Sequence, residues 1–374
     1  MPKRNLLFIP HTAPATTLVT RGEALARGMA DDFNVHLLSW HHDPLEQASP
    51  HRRLISRLLG LTRRLETHSR DGITVIVTPF LYIRRSGTEA VRQVNTIIVN
   101  RIVKQLGIDA VVNELALVNS RGLSAPHILD IVDLPIPREL RRWAVQADKA
   151  AGITTITAGL AEALGAYGMA AEVIGNGADL VRFRAAGGEL VRSDLGLGGR
   201  YVIGHIGNHA EWSGLPFLLD IFKKVKVVMP EAALLIVGPG SEIPRARAKV
   251  SRERIDGVIF TGPVEASDVP AYFKALDLAV LPFGLDPHAN LSFPIKVIEY
   301  SAARKSVVAT PIRVLRELDL PNVRLVDPDT DQWADAIVGH KATQWQDAWD
   351  ERIEEFDWRN LAGRMAAFIR ARLA

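Results

Sequence analysis

No cysteine occurs among the 374 residues. Disulfides and thiolate metal sites are therefore excluded, and a reducing compartment is permitted. Long apolar runs are missing too, and no stretch approaches the roughly 18 uninterrupted apolar residues of a spanning helix. The opening MPKRNLLFIPHTAPATT follows its basic pair with only five apolar residues, too few for a signal-peptide core. A cytoplasmic protein is expected, with a peripheral place on the inner face of the cell membrane left open. An excess of one charge is also lacking. The 45 Lys and Arg against 42 Asp and Glu leave a formal +3, which does not call for nucleic acid. The common catalytic signatures are absent as well. There is no G-x-x-x-x-G-K-[ST] P-loop, and neither GPGSEI nor GLGLGG completes G-x-G-x-x-G at a strand-to-helix turn. G-x-S-x-G and H-E-x-x-H do not occur either, which removes the commonest hydrolase and zinc-protease readings.

What is present is a globular composition, 47% hydrophobic and 23% charged. A chain of this length suggests two domains of roughly 150–200 residues. NLLFI (5–9), NVHLLSW (34–40), ITVIVTPF, IDAVVN, HILDIV and GITTIT read as strands. They alternate with helical patterns through LVTRGEALARGM and near 89–106, 137–147 and 158–167. Continuous apolar strands separated by helices indicate a parallel sheet covered on both faces, a Rossmann-like half. After a Gly-rich charged stretch the rhythm restarts with YVIGHIG, ALLIVG, GVIFTG, LAVLPF, SVVAT and VRLV. A second Rossmann-like half is expected there. The final WRNLAGRMAAFIRARL is long enough to pack back on the first domain. The expected division is 1–175, 176–350 and a returning helix in 351–374. DPD at 327–329 could imitate a metal-binding pair, but between strand and helix Asp suits turn and helix-entry duty.

The segment SFPIKVIEYSAARKSVVAT (292–310) sets Lys296 and Glu299 three residues apart. That spacing alone also describes an ordinary surface ion pair on a helix. In its context, VIFTGPVEASDVPAYFKALDLAVLPF followed by NLSFPIKVIEYSAARKSVVATP resembles the donor domain of GT-B glycosyltransferases. The likeness is greatest to the bacterial exopolysaccharide group that includes teichuronic acid glycosyltransferases and the xanthan glucuronosyltransferase. GNGADLVRF resembles that group's interdomain PNGVD…F segment, with Gly175 in place of the usual proline.

The resemblance implies an α/β GT-B fold, two Rossmann-like domains facing a central cleft, with a nucleotide sugar on the C-terminal one. Pro294 would open a helix. Ser292, Phe293 and Ile295 would offer N–H groups to the diphosphate, Lys296 would add a full charge, and Glu299 would accept the ribose hydroxyls. Val264, in the loop with Gly262 and Pro263, would read the base. Gly207 and Asn208 would bring backbone close to the phosphates. His209 would face the cleft or simply be solvated. Many retaining members carry a second glutamate eight residues before the ribose-binding one. Here Leu291 stands there, with Asn290 beside it as a candidate sugar contact.

On the acceptor side, an inverting reaction needs a carboxylate base. HILDIVDLP resembles the group's YDxVDD stretch, making Asp133 the first candidate and Asp130 the second, with capping of the following helix as the alternative for either. His11, after the first strand, contacts acceptor or is a plain loop histidine. HRRLISRLLGLTRRLETHSR (51–70) carries six arginines among leucines. It reads as a basic amphipathic helix that lies on an anionic membrane or covers the core.

These features lead to a metal-independent hexosyltransferase without a bound cofactor. It would use a nucleoside diphosphate sugar, UDP-linked for preference, and a lipid-linked or other saccharide acceptor in envelope or exopolysaccharide synthesis. The alternatives are a soluble small-molecule acceptor, a non-hydrolysing UDP-sugar 2-epimerase of the same fold, or a non-catalytic binding protein.

Overall fold

The computed structural model describes residues 2–11, 20–39, 65–78, 89–115, 117–132, 137–285 and 291–373. The chain divides into two compact units, 1–176 with 358–374, and 177–357.

The first unit is built on β1 (Asn5–Ile9), β2 (Asn34–Ser39), β3 (Glu66–Arg70), β4 (Ile73–Val77), β5 (Ala110–Glu114), β6 (His127–Ile131), β7 (Gly152–Thr155) and β8 (Glu172–Val173). They form one sheet in the order β3-β4-β2-β1-β5-β6-β7-β8. Every pairing is parallel except β3 with β4. The apolar runs are continuous because alternate side chains enter two different cores. Leu6 and Phe8 join Leu25, Met29 and the returning helix residues Leu361, Met365 and Ile369. Leu7 and Ile9 join Ile98, Val99 and Ile102 of helix Glu89–Leu106 on the other face.

The return to this unit starts at Trp358, while the short helix Trp349–Glu354 stays within the second unit. Helix Trp358–Leu373 packs on helix Arg21–Gly28, where a side chain at Gly28 would lie 2.5 Å from the Ala362 Cβ. Only glycine permits that approach.

The second unit carries β9 (Val202–Ile206), β10 (Ala233–Val237), β11 (Val258–Gly262), β12 (Leu278–Leu281), β13 (Val307–Ala309) and β14 (Val323–Leu325), the six strands expected from the sequence. Their order β11-β10-β9-β12-β13-β14 is fully parallel. Renumbered within the unit this is 3-2-1-4-5-6, the Rossmann order, whose direction of winding reverses between β9 and β12. In the first unit the reversal lies between β1 and β5. Ligands of such sheets bind beyond the strand ends at these reversal points.

One expectation changes and one holds. Residues 66–70 are strand β3, hydrogen-bonded antiparallel to β4, and not the end of an amphipathic helix. Alternation ETHSR beside a Gly72 turn suits an edge strand better than a helix. Residues 51–64 of that proposed helix lie outside the described residues. In the DPD stretch, the Asp329 carboxylate accepts from the Asp331 and Gln332 N–H groups and starts helix Thr330–Gly339, so it serves helix entry.

Candidate functional site

In the second unit, β9 runs out into Gly207, whose φ of +130° is open to glycine. A Cβ there would stand 2.1 Å from the Lys296 Cε, so the absent side chain is what lets the lysine in. The neighbouring loop is equally tight. A Cβ at Gly238 would meet the Gly207 carbonyl oxygen at 2.1 Å, and one at Gly240 would meet the His209 carbonyl oxygen at 2.2 Å. Gly207 N–H donates to Val237 O (2.8 Å), and His209 N–H donates to Pro239 O (2.8 Å). The ends of β9 and β10 are thus locked backbone against backbone.

Helix Ile295–Ala302 supplies the side chains. Pro294 is its N-cap and its carbonyl takes the Val297 N–H (2.9 Å), so the helix starts where a proline costs no hydrogen bond. Its register is set by Tyr300, fully buried, whose hydroxyl accepts the Ile206 N–H at 2.8 Å. That bond ties the helix to the last residue before Gly207. Lys296 is then the second residue of the helix, within its first turn, and Glu299 lies nearly one turn further on.

The Lys296 Nζ is shut off from solvent and has no hydrogen-bond acceptor among the described residues. It rests 5.2 Å from the Trp212 ring centroid and 5.9 Å from that of Phe283, two rings in edge contact with each other. Aromatic faces offset only part of the cost of burying an ammonium. Burial accordingly lowers the Lys296 pKa to about 8, against the opposing pull of Glu299. Burial raises Glu299 to about 7, with Lys296 and then Arg182 drawing it back. The two opposite charges hold each other only partly, and each is left under-served by its surroundings.

Behind the lysine lie two histidines. His205 is fully buried with neither ring nitrogen bonded, and its ring is 4.8 Å from that of His209. Burial first, then the nearby His209 and Lys296, holds His205 well below the ordinary imidazole value. His209 is also fully buried, its Nε2 3.0 Å from Val237 O, and burial brings it to about 4. It is therefore neutral near pH 7, and its Nε2–H is the donor. Neither a solvated loop histidine nor a cationic ligand group fits that environment.

The other expected donor-side residues are distributed unevenly. Phe293 and Pro294 are buried, Ile295 and Val264 half-buried, and Ser292 and Asn208 exposed. Val264 follows β11 and the left-handed Gly262 (φ +72°). Asn290 lies outside the described residues.

The first unit has its own polar cluster at the end of its sheet. Asp130, completely buried, takes Arg21 Nε at 3.0 Å, Arg21 Nη2 at 3.2 Å and Thr154 Oγ1 at 2.8 Å. Arg21 goes on to Ile174 O (2.8 Å), Gly175 O (2.5 Å) and Asn176 Oδ1 (3.2 Å). A carboxylate so engaged can accept a substrate proton only after losing its arginine. Asp133 lies outside the described residues.

At the reversal point between β1 and β5, the buried Glu114 Oε2 accepts the His11 backbone N–H at 2.7 Å and faces its Nδ1 at 3.0 Å. The sequence reading singled out His11 and missed Glu114, His205, Trp212 and Arg21. Polar residues ending apolar strands, VVNE and VIGHI, were the available signal.

Residues 200–340 match the family model described as "Glycosyl transferases group 1". That match falls within the second unit, residues 177–357. A Bacillus subtilis (strain 168) protein, TuaH, named as a teichuronic acid biosynthesis glycosyltransferase, is 31% identical over 127 residues, 33% of this chain and 30% of that protein. The 2-deoxystreptamine glucosyltransferase of Streptomyces kanamyceticus is 29% identical over 163 residues, 41% of this chain and 42% of that enzyme. The chain thus spans less than half the length of the curated relatives it matches. In three dimensions the structure of Anabaena HepE in complex with UDP aligns with TM-score 0.69 at 18% identity, over 98% of this chain and 100% of that one. The fold is GT-B-like. Among the described residues no group of three or more His, Asp or Glu side chains is arranged to hold a metal, and no helix is long and apolar enough to cross a membrane.

Proposed function

We propose that the protein transfers a hexose from a UDP-sugar to a hydroxyl of a saccharide acceptor. The observation that carries this reading is the Lys296 Nζ, a buried ammonium with no hydrogen-bond acceptor among the described residues, at the reversal point of a sheet that matches the group 1 glycosyltransferase model. A cation held there, in the first turn of a helix, has only the partly protonated Glu299 as its counter-charge. The diphosphate of a nucleotide sugar supplies an anion, and the helix start adds its own partial positive charge. Glu299, one turn deeper, accepts hydrogen bonds from the ribose hydroxyls. Val264 meets the base, and Gly207 lets the phosphates approach the backbone.

In the transfer, the acceptor oxygen bonds to the anomeric carbon while the anomeric C–O bond breaks and its electron pair passes to the diphosphate. Lys296 stabilises that developing charge, so that on this reading no metal ion is required. Asp133 is the proposed base if the reaction inverts. Asp130, bound to Arg21, serves the structure of the first unit instead.

The likeness to TuaH favours a lipid-linked or other envelope saccharide as acceptor, and a cytoplasmic protein meeting it at the inner membrane face. The likeness to a 2-deoxystreptamine glucosyltransferase favours a soluble aminocyclitol or similar small acceptor as the second reading. Calorimetric titration with UDP, GDP, ADP and dTDP, with and without EDTA, tests the donor side on wild type and Glu299→Ala. UDP binding that ignores EDTA and is lost in the variant supports the proposal, and binding of none of the four refutes it. UDP release from UDP-glucose in the presence of lipid-linked saccharide or free aminocyclitol then separates the two acceptors. Turnover of the nucleotide sugar with no acceptor present would instead indicate the 2-epimerase.

A further inference from the structure

Arg182 stands on the short helix Leu180–Ala185, directly after the interdomain segment, and so far has no part in the chemistry. Its environment is unusual for a half-buried arginine. The Nη2 donates to the carbonyl of Ala266, in the loop that follows β11 and contains Val264. The same guanidinium acts electrostatically on the Glu299 carboxylate. One side chain therefore bonds the loop that the donor reading gives to the base and acts through its charge on the carboxylate given to the ribose.

The elements around it are held too firmly for this to be a chance surface contact. The backbone of Arg182 is fixed by the Asp179 carboxylate, which accepts its N–H at 3.0 Å. Phe183, the next residue, packs edge-on against Phe273 at 5.1 Å. Phe273 in turn lies 4.8 Å from the Tyr300 ring, beside Glu299. The loop begins at Gly262, with φ of +72°, whose carbonyl takes the Gly238 N–H at 2.9 Å, and reaches a turn at Glu265, whose carbonyl takes the Asp268 N–H at 3.0 Å. Val264 and Ala266 are half-buried while Pro263 and Glu265 are exposed. The loop's start is thus held by backbone from the β10 loop, and the carbonyl of Ala266 at its other end is held by the Arg182 side chain.

We propose that Arg182 is the positioning residue of the nucleoside site: by fixing the 262–266 loop against Glu299 it sets the width of the base pocket and with it the choice of base. The inference rests on the donor-site reading given above and adds to it a determinant of specificity outside the loop and outside the Lys296 helix. A guanidinium suits the task, because its planar fork can bond a carbonyl with one edge while keeping its charge toward a carboxylate.

The test is calorimetric titration of wild type, Arg182→Ala, Arg182→Gln and Arg182→Lys with UDP, ADP and GDP, alongside thermal melts. In Arg182→Ala the expected result is a fall of about tenfold or more in UDP affinity, the size of losing a hydrogen bond to a charged group. The preference for UDP over ADP and GDP shrinks with it, because the loop relaxes and admits other bases. Arg182→Gln restores part of the preference through its amide donor, and Arg182→Lys restores part of the affinity through its charge. Wild-type UDP affinity and an unchanged base preference in Arg182→Ala overturn the proposal. A lower melting temperature with the base preference intact overturns it too, since that would be a purely structural role. If the wild type binds no nucleotide, the donor-site reading itself fails, and the wild-type titration alone reveals that.

Discussion

If Lys296 and Glu299 meet the diphosphate and the ribose, donor binding must move protons, and in opposite directions. The perturbation is addition of UDP-glucose, whose diphosphate is esterified at both ends and does not itself titrate near neutrality. Burial has brought Lys296 from 10.5 to about 8, a penalty on its charged form of about 3 kcal/mol. A phosphate oxygen at the unpaired Nζ relieves that penalty, so the lysine takes up protons on binding. Glu299 stands at about 7. Two ribose hydroxyls donating to it favour the carboxylate, so the glutamate releases protons. At pH 6 the free protein has Lys296 almost wholly charged and Glu299 about nine-tenths protonated, and binding releases nearly one proton. At pH 8 Lys296 is about half neutral and Glu299 about nine-tenths ionised, giving a net uptake of about 0.4 proton. The sign changes between pH 7 and 8. Titrating at each pH in two buffers of different ionisation enthalpy measures this number directly. Lys296→Met should delete the uptake limb alone, and Glu299→Gln the release limb alone. Tight binding with no buffer dependence at either pH would refute the assignment of these two side chains to the ligand.

Four further outcomes follow from the same geometry. Gly207→Ala should abolish donor binding and cost about 1–3 kcal/mol in urea unfolding, because the residue sits at φ +130° with the Lys296 Cε 2.1 Å from a new Cβ. Folded-state burial raises Glu299 above its ordinary value, so its contribution to stability is full below about pH 4.5 and is lost as the pH rises through about 7. Glu299→Gln should therefore be more stable than wild type at pH 8 and equal to it near pH 4 by thermal melting. Asp130→Asn, which leaves the Arg21 guanidinium buried without its carboxylate, should lose about 3–5 kcal/mol. The double variant Arg21→Met, Asp130→Leu should recover most of that, and a single variant as stable as wild type would contradict the ion pair. Glu114→Gln should keep UDP affinity unchanged while shifting the His11 imidazole away from the Nδ1–H tautomer in nitrogen-15 spectra, since Glu114 Oε2 lies 3.0 Å from that nitrogen.

The parallel strands were legible because they are buried on both faces and therefore read as unbroken apolar runs. VIGHI, ALLIV and LAVL are completely buried in the structure, and nothing but a covered sheet accommodates them. ETHSR was not legible, because an edge strand needs no apolar residues and its partner β4 declares itself instead. In the site, the family resemblance of the segment around SFPIKVIEY pointed to Lys296 and Glu299, but not to the enclosure of the ammonium. That depends on Trp212 and Phe283, which come from two other segments of the sequence. His209 shows the opposite limit. A histidine after a strand looks like a loop residue, and its burial arises only because Gly238 and Gly240 let the β10 loop close over it. Side-chain identity travels along the sequence, whereas enclosure is made by strangers to the motif.

That distinction yields a final test of whether Lys296 belongs to function or to structure. A structural lysine ends at an acceptor or in water, and Lys305 of the same unit does so by donating to Leu276 O at 2.6 Å. Burial depresses both lysines to about 8, but Lys296 reaches neither water nor an acceptor among the described residues. The sign follows from that depression. The stability linked to this group is present above about pH 10.5 and lost as the pH falls through about 8. Lys296→Met, similar in length and content with the two aromatic rings, should therefore stabilise the free protein by about 1–4 kcal/mol at pH 7, as buried charges replaced by apolar groups do. The gain should disappear toward pH 10.5, and UDP affinity should be weakened but still measurable at every pH. A variant that is less stable than wild type at pH 7 would show that the ammonium already has what it needs from the protein. The argument that it is waiting for a diphosphate would then fall, however well the sequence pattern matches.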